Sequence, residues 1–126
     1  MRAFVIHCGR ERMSVQIYDK LIGSANKLLE ERPEAMFAIA LISKNGNLYA
    51  ETREESLISR WRADVDLAER LTQRGDTEVT KLAVVFRGGA LESPGWHLSG
   101  ILRAIDEKNA DTKYILCGAD YVERTI

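Results

Sequence analysis

Apolar and polar positions along the chain alternate between two periods, one helical and one extended. Ala3-Phe4-Val5-Ile6 is a short apolar run that ends near Gly9 and reads as a strand. Ser14 is placed to cap the next element. Tyr18, Leu21, Ile22, Ala25, Leu28 and Leu29 then recur at helical spacing, with Asp19, Lys20, Asn26, Lys27 and Glu30 between them. Pro33 stops this amphipathic helix. Met36 to Ile42 is continuously apolar, as in a strand buried on both faces. Asn45-Gly46 signals a hairpin. Beyond it Leu48, Ala50 and Thr52 alternate with Tyr49, Glu51 and Arg53, the pattern of a less buried partner strand.

The second half repeats a simpler unit. A helix is predicted from about Ile58 to Arg74, with Trp61, Val65, Ala68 and Leu71 or Thr72 on its apolar face and Gly75 as its C-terminal cap. Leu82 to Phe86 is a fully apolar strand, broken by Arg87-Gly88-Gly89. Ser93-Pro94-Gly95 leads into a third helix carrying Leu98, Ile101, Leu102 and Ile105. Asn109 to Thr112 reads as a loop, Tyr114 to Cys117 as a last strand ended by Gly118, and Asp120 to Thr125 as a polar surface tail. The expected order is βαββαβαβ. The expected architecture is a single α/β domain over residues 1–126, a three-layer mixed sheet with helices on both faces.

Composition narrows the function by exclusion. Of 126 residues, 45% are hydrophobic and 29% charged, an ordinary globular balance. Eighteen basic residues face nineteen acidic ones, for a formal net charge of -1. No global field draws the chain to nucleic acid or to an anionic membrane. The longest apolar run is too short to span a bilayer, and no signal-peptide core follows Arg2, so a cytoplasmic location is expected. Cys8 and Cys117 are too few and too far apart for a disulfide scaffold and read as small buried hydrophobes.

From Tyr18 onward the order of elements resembles the cytidine deaminase fold, in which a helix precedes a hairpin and two helix–strand units follow. Phe37 to Tyr49 looks like the family's core hairpin, Leu82 to Phe86 like the strand before its second motif, and Ser93-Pro94-Gly95 like the entry to that motif. The resemblance implies two chemical motifs. One is His or Cys, Ala, Glu at the second helix; the other is Pro-Cys-x-x-Cys at the third. Their three ligands hold zinc, the zinc activates a water, and the glutamate moves protons. In register, the first motif falls on Arg62-Ala63-Asp64 and the second on Pro94-Gly95-Trp96-His97-Leu98. Ala63 and Pro94 match. A permanent cation, a glycine and a leucine occupy the ligand positions, and Asp64 replaces the glutamate with a shorter acid. No metal site and no cofactor are expected. His7, Cys8, His97 and Cys117 lack paired zinc-site spacing.

The same positions suggest other chemistry. Two helix starts, near Arg62 and near Gly95-Trp96, would converge in this fold and favour an anion. Arg62 would add charge and Trp96 a stacking surface. Arg87 and Gly88 lie at the end of a central strand, where open α/β sheets place ligands. His97, with Asp64 or Ser93, is a candidate acid–base pair. The resemblance also implies polar ribose-binding residues just after the hairpin, where Glu54-Glu55 stand. Three readings follow. The first is a non-catalytic deaminase-like domain that binds a nucleotide-like or other small anionic ligand. The second is an interaction module whose pocket is filled, with Trp61 and Trp96 in a homo-oligomer interface. The third is a non-metal enzyme using His97. Nucleic acid is the least favoured partner.

Overall fold

A computed structural model describes residues 12–53, 57–117 and 121–126, with side chains described at 16–52, 61–117 and 121–126. The predicted strand at Ala3–Ile6, together with His7, Cys8, Glu54, Glu55, Gly118 and Asp120, lies outside the described residues.

Helix α1 (Arg12–Glu31) is followed by strands β1 (Phe37–Ser43) and β2 (Leu48–Arg53), and then by helix α2 (Leu57–Gln73). Strand β3 (Val79–Phe86), the two-residue strand β4 (Leu91–Glu92) and helix α3 (Gly95–Ile105) come next. A short 3-10 turn (Glu107–Asp111), strand β5 (Lys113–Cys117) and strand β6 (Tyr121–Thr125) complete the chain. The sheet runs β2-β1-β3-β5-β6, with β4 paired to β3. Among the described strands, only β3 and β5 pair in parallel. Strand β1 lies antiparallel between β2 and β3, so those two run the same way without touching.

The alternation along the central strands explains the three layers. Phe37, Ile39, Leu41, Leu82 and Val84 point to one face and pack beneath Ala63, Leu67 and Leu71 of α2 and Leu98 and Leu102 of α3. Ala38, Ala40, Ala83 and Val85 point to the other, beneath Tyr18, Leu21, Ala25 and Leu29 of α1. The small alanines on that face leave room for the larger α1 side chains.

Turn chemistry fixes the connections. The hairpin closes through Gly46 N–H donating to Ser43 O at 2.9 Å, with Gly46 at φ +89°. At the end of α2, Gly75 (φ +64°) donates to Thr72 O and Asp76 to Leu71 O, the paired bonds of a Schellman cap.

Several expectations are corrected here. Helix α1 already runs at Arg12, so Ser14 lies inside it and is not its cap. The buried face of α2 is Ala63, Leu67 and Leu71, whereas Trp61 and Val65 are 36% and 42% exposed. The segment at Asn109 is not an open loop. Asn109 is fully buried, accepts from Val79 N–H and donates to the carbonyls of Thr77 and Leu102. The C-terminal tail is the edge strand β6, whose outward side chains gave it a polar signature. Cys117 is exposed and, among the described residues, in no disulfide; it is the last residue of β5, paired with Tyr121 of the edge strand β6.

Candidate functional site

The start of α3 sits over the strand ends beside the N-terminal half of α2. Pro94 takes the helical conformation at the N-cap, and Gly95 follows with φ +83°, a left-handed geometry that a side chain would strain. Gly95 N–H donates to Ser93 Oγ at 3.2 Å. This turn projects Trp96 and His97 toward α2.

His97 Nδ1 lies 2.8 Å from Asp64 Oδ2. The Asp64 side chain is 7% exposed and that of His97 24%. Two tryptophans flank the imidazole. Trp61 stacks on it at 5.1 Å with 24° between the planes, and Trp96 meets it edge-on at 5.5 Å. Trp96 also meets Trp61 edge-on at 5.9 Å. Together with Phe37, Ile39 and Val84 from the sheet and with Pro94 and Gly95, these side chains line a cavity of about 170 Å³. One wall is flat and aromatic. The other presents an acid–imidazole pair whose Nε2 makes no hydrogen bond among the described residues.

The remaining sequence candidates lie elsewhere. Arg62 is the sixth residue of α2, beyond the first turn, so it does not stand at a helix start with free amides. It is exposed, outside the cavity, and borders an adjoining surface groove with Trp61, Val65, Asp66, Glu69 and His97. Arg87 is at the same end of the sheet but is committed to the opposite layer. Its Nη2 donates to the carbonyls of Leu29, Arg32 and Ala35, and its Nε donates to Ala35 again. It therefore caps the C-terminus of α1. Gly88 and Gly89, both at φ +101°, form the tight β3–β4 turn closed by Gly89 N–H to Phe86 O, away from the cavity lining. Ser93 receives the Gly95 amide and makes no described bond to His97.

Trp61 was legible as an aromatic but not as a wall for His97. Nothing in sequence spacing pairs position 61 with position 97, because the contact is made only when α2 and α3 pack.

No family model matches the chain, and no curated protein is matched by sequence. Solved structures do match. Cytidine deaminase from Mycobacterium leprae superposes with a TM-score of 0.63 at 13% identity, over 84% of this chain and 92% of that one. Cytidine deaminase from Bacillus anthracis gives 0.63 at 14%, over 86% and 83%, and that from Burkholderia pseudomallei 0.60 at 14%, over 85% and 91%. The fold is cytidine deaminase-like.

A deaminase-like fold raises the question of zinc, and the residues here do not fit it. Of the side chains that line the cavity only Asp64 and His97 are of metal-ligand type; Gly95 has no side chain to offer, and Arg62 is a permanent cation outside the cavity. Among the described residues, no group of three His, Cys, Asp or Glu side chains could hold a metal ion. No helix of the described chain is long and apolar enough to cross a membrane.

Proposed function

We propose that this chain is a deaminase-like domain that binds a small nucleotide-like ligand without zinc chemistry, seating the ligand's planar ring in the Asp64–His97 cavity. The observation that carries the reading is the 2.8 Å Asp64–His97 contact, set beside two tryptophans in a cavity of about 170 Å³. Aromatic walls favour a flat ring. Asp64 holds Nδ1, which leaves Nε2 to meet a ring carbonyl or ring nitrogen. The volume is below the roughly 300 Å³ at which sites for drug-sized ligands begin, which suits a single ring system more than a whole nucleotide. Between the two ligand chemistries, the nucleobase-like ring is favoured over a simple anion. Arg62 stands outside the cavity, and the buried Asp64 carboxylate offsets any positive charge on His97.

Isothermal titration with nucleobases, nucleosides, acetate and inorganic phosphate tests this. Binding of a nucleobase or nucleoside, weakened about tenfold or more by His97→Ala, is the expected result. Absence of binding by any ring compound up to about millimolar concentration sinks it. Tight stoichiometric uptake of zinc would overturn the argument from the donor set.

A second reading draws on the same contact. An acid-anchored imidazole with an open Nε2 is the arrangement a general base needs. Turnover of a bound nucleoside, abolished by His97→Gln with binding retained, would convert the binding site into an active site.

A further inference from the structure

The Asp64–His97 contact fixes more than the orientation of the imidazole. An ionised carboxylate accepts hydrogen bonds and has none to donate, so the 2.8 Å contact requires a proton on His97 Nδ1. That requirement holds in both charge states of the ring. When the imidazole is neutral, its other nitrogen, Nε2, is a bare acceptor; when the imidazole is protonated, Nε2 is a donor. Nε2 makes no hydrogen bond among the described residues, and His97 lines the cavity. The other polar side-chain groups of the lining are the Asp64 carboxylate, with one oxygen engaged by Nδ1, and the indole N–H groups of Trp61 and Trp96. The sheet contributes Phe37, Ile39 and Val84 and brings no charge to the imidazole. Helix α2 brings Asp64 and, in the adjoining groove that His97 also borders, Arg62, Asp66 and Glu69. Among the described residues, Asp64 is the charged group in contact with the ring.

We propose that Asp64 is a positioning residue that sets the tautomer of His97, and that the cavity thereby selects rings by the proton on the edge that meets Nε2. A neutral imidazole takes a lactam or imide edge, whose ring N–H donates to Nε2. It rejects a ring whose nitrogen is bare there, because two acceptors then face each other in a site largely walled from water. Protonation of the imidazole turns Nε2 into a donor. The discrimination then disappears, since an imide carbonyl and a bare ring nitrogen both accept. The proposal rests on the reading of the cavity as a site for a nucleobase-like ring, and it names the ring edge that the site takes.

Isothermal titration of the full chain with 1-methyluracil and 1-methyl-2-pyrimidinone provides the test. The first ring has a single N–H, between two carbonyls. The second has a bare nitrogen at that place and no N–H at all. At about pH 8 the imide is expected to bind about tenfold or more tighter, and at about pH 5.5 the ratio is expected to fall below about threefold. Asp64→Asn keeps the outline of the side chain, but its amide can donate to Nδ1 and move the proton to Nε2. In that variant, with circular dichroism confirming the fold, the preference at about pH 8 is expected to fall to about the level the parent protein shows at about pH 5.5. The pH profile of the parent protein needs no variant and decides the matter on its own. Equal binding of the two rings at both pH values, or a preference that pH does not move, overturns the inference and leaves the ring-binding reading standing. Binding of neither ring sinks that reading and this inference with it.

Discussion

His97 on α3 and Asp64 on α2 are thirty-three positions apart in the chain and 2.8 Å apart in space. The contact depends on α2 and α3 packing side by side over the same strands, and it is braced by the Trp61 ring stacked on the imidazole. An aspartate in a buried helix face is costly without partners, and His97 supplies one at the mouth of the cavity.

Replacing Asp64 by alanine should release His97 from its fixed orientation. Because His97 is partly exposed, water can satisfy Nδ1, and the stability loss should be about 1 kcal/mol by urea denaturation. Ring binding should fall more than stability does, since a rotating imidazole no longer presents Nε2 to the cavity. Equal affinity in Asp64→Ala and the parent protein would remove the pair from the binding argument.

Asp76 should make the fold acid-sensitive. It is buried just past the α2 cap and accepts hydrogen bonds from Asn45 Nδ2 at 2.8 Å, Asn47 Nδ2 at 2.9 Å and the Tyr49 hydroxyl at 2.8 Å. Burial pushes its carboxyl up, but the donors on Asn47, Ser43, Tyr49 and Asn45 outweigh burial and hold it at about 2, below the usual 3.8. A depressed folded value adds stability above the unfolded one. That contribution should be present at neutral pH and lost as pH falls from about 4 through 2. Asp76→Asn should flatten this part of the stability–pH curve, and Asp76→Ala should cost about 2–3 kcal/mol by leaving the buried Tyr49 hydroxyl without its acceptor.

Arg87 should behave as a structural cap and not as a ligand group. Arg87→Ala removes the guanidinium from the carbonyls of Leu29 and Ala35, and leaves that of Arg32 with only the Ala35 amide, and should cost about 1–3 kcal/mol. Arg87→Lys should recover little of it, because a point charge cannot reproduce the fork that serves three carbonyls. Ring binding per folded molecule should be unchanged in both variants; a selective loss of affinity would return Arg87 to the site.

The two apolar stripes of α2 should separate under truncation. Leu67→Ala empties a fully buried position and should cost about 2–5 kcal/mol. Val65→Ala, at an exposed position, should lie within about 0.5 kcal/mol of the parent. Chemical denaturation of both variants under identical conditions checks the order, and a reversed order would mean that the helix faces are assigned the wrong way round.

Local patterning was enough for most of the elements and several of the turns. Periodicity located three helices and four of the strands, and Asn45-Gly46, Gly75 and Ser93-Pro94-Gly95 marked turns, because those signals act within a few residues. Tertiary structure alone decided which apolar stripe of α2 faces the sheet, since Trp61-Val65-Ala68 and Ala63-Leu67-Leu71 are both periodic and only packing breaks the tie. It also decided that Arg87 serves α1, that the outward-facing Tyr121–Thr125 segment pairs as an edge strand, and that Asp64 meets His97. The Arg87 and Asp64 contacts join residues distant in sequence and are set by how the layers close, which no local pattern encodes; the β5–β6 hairpin is local, but the polar side chains of its edge strand hid it.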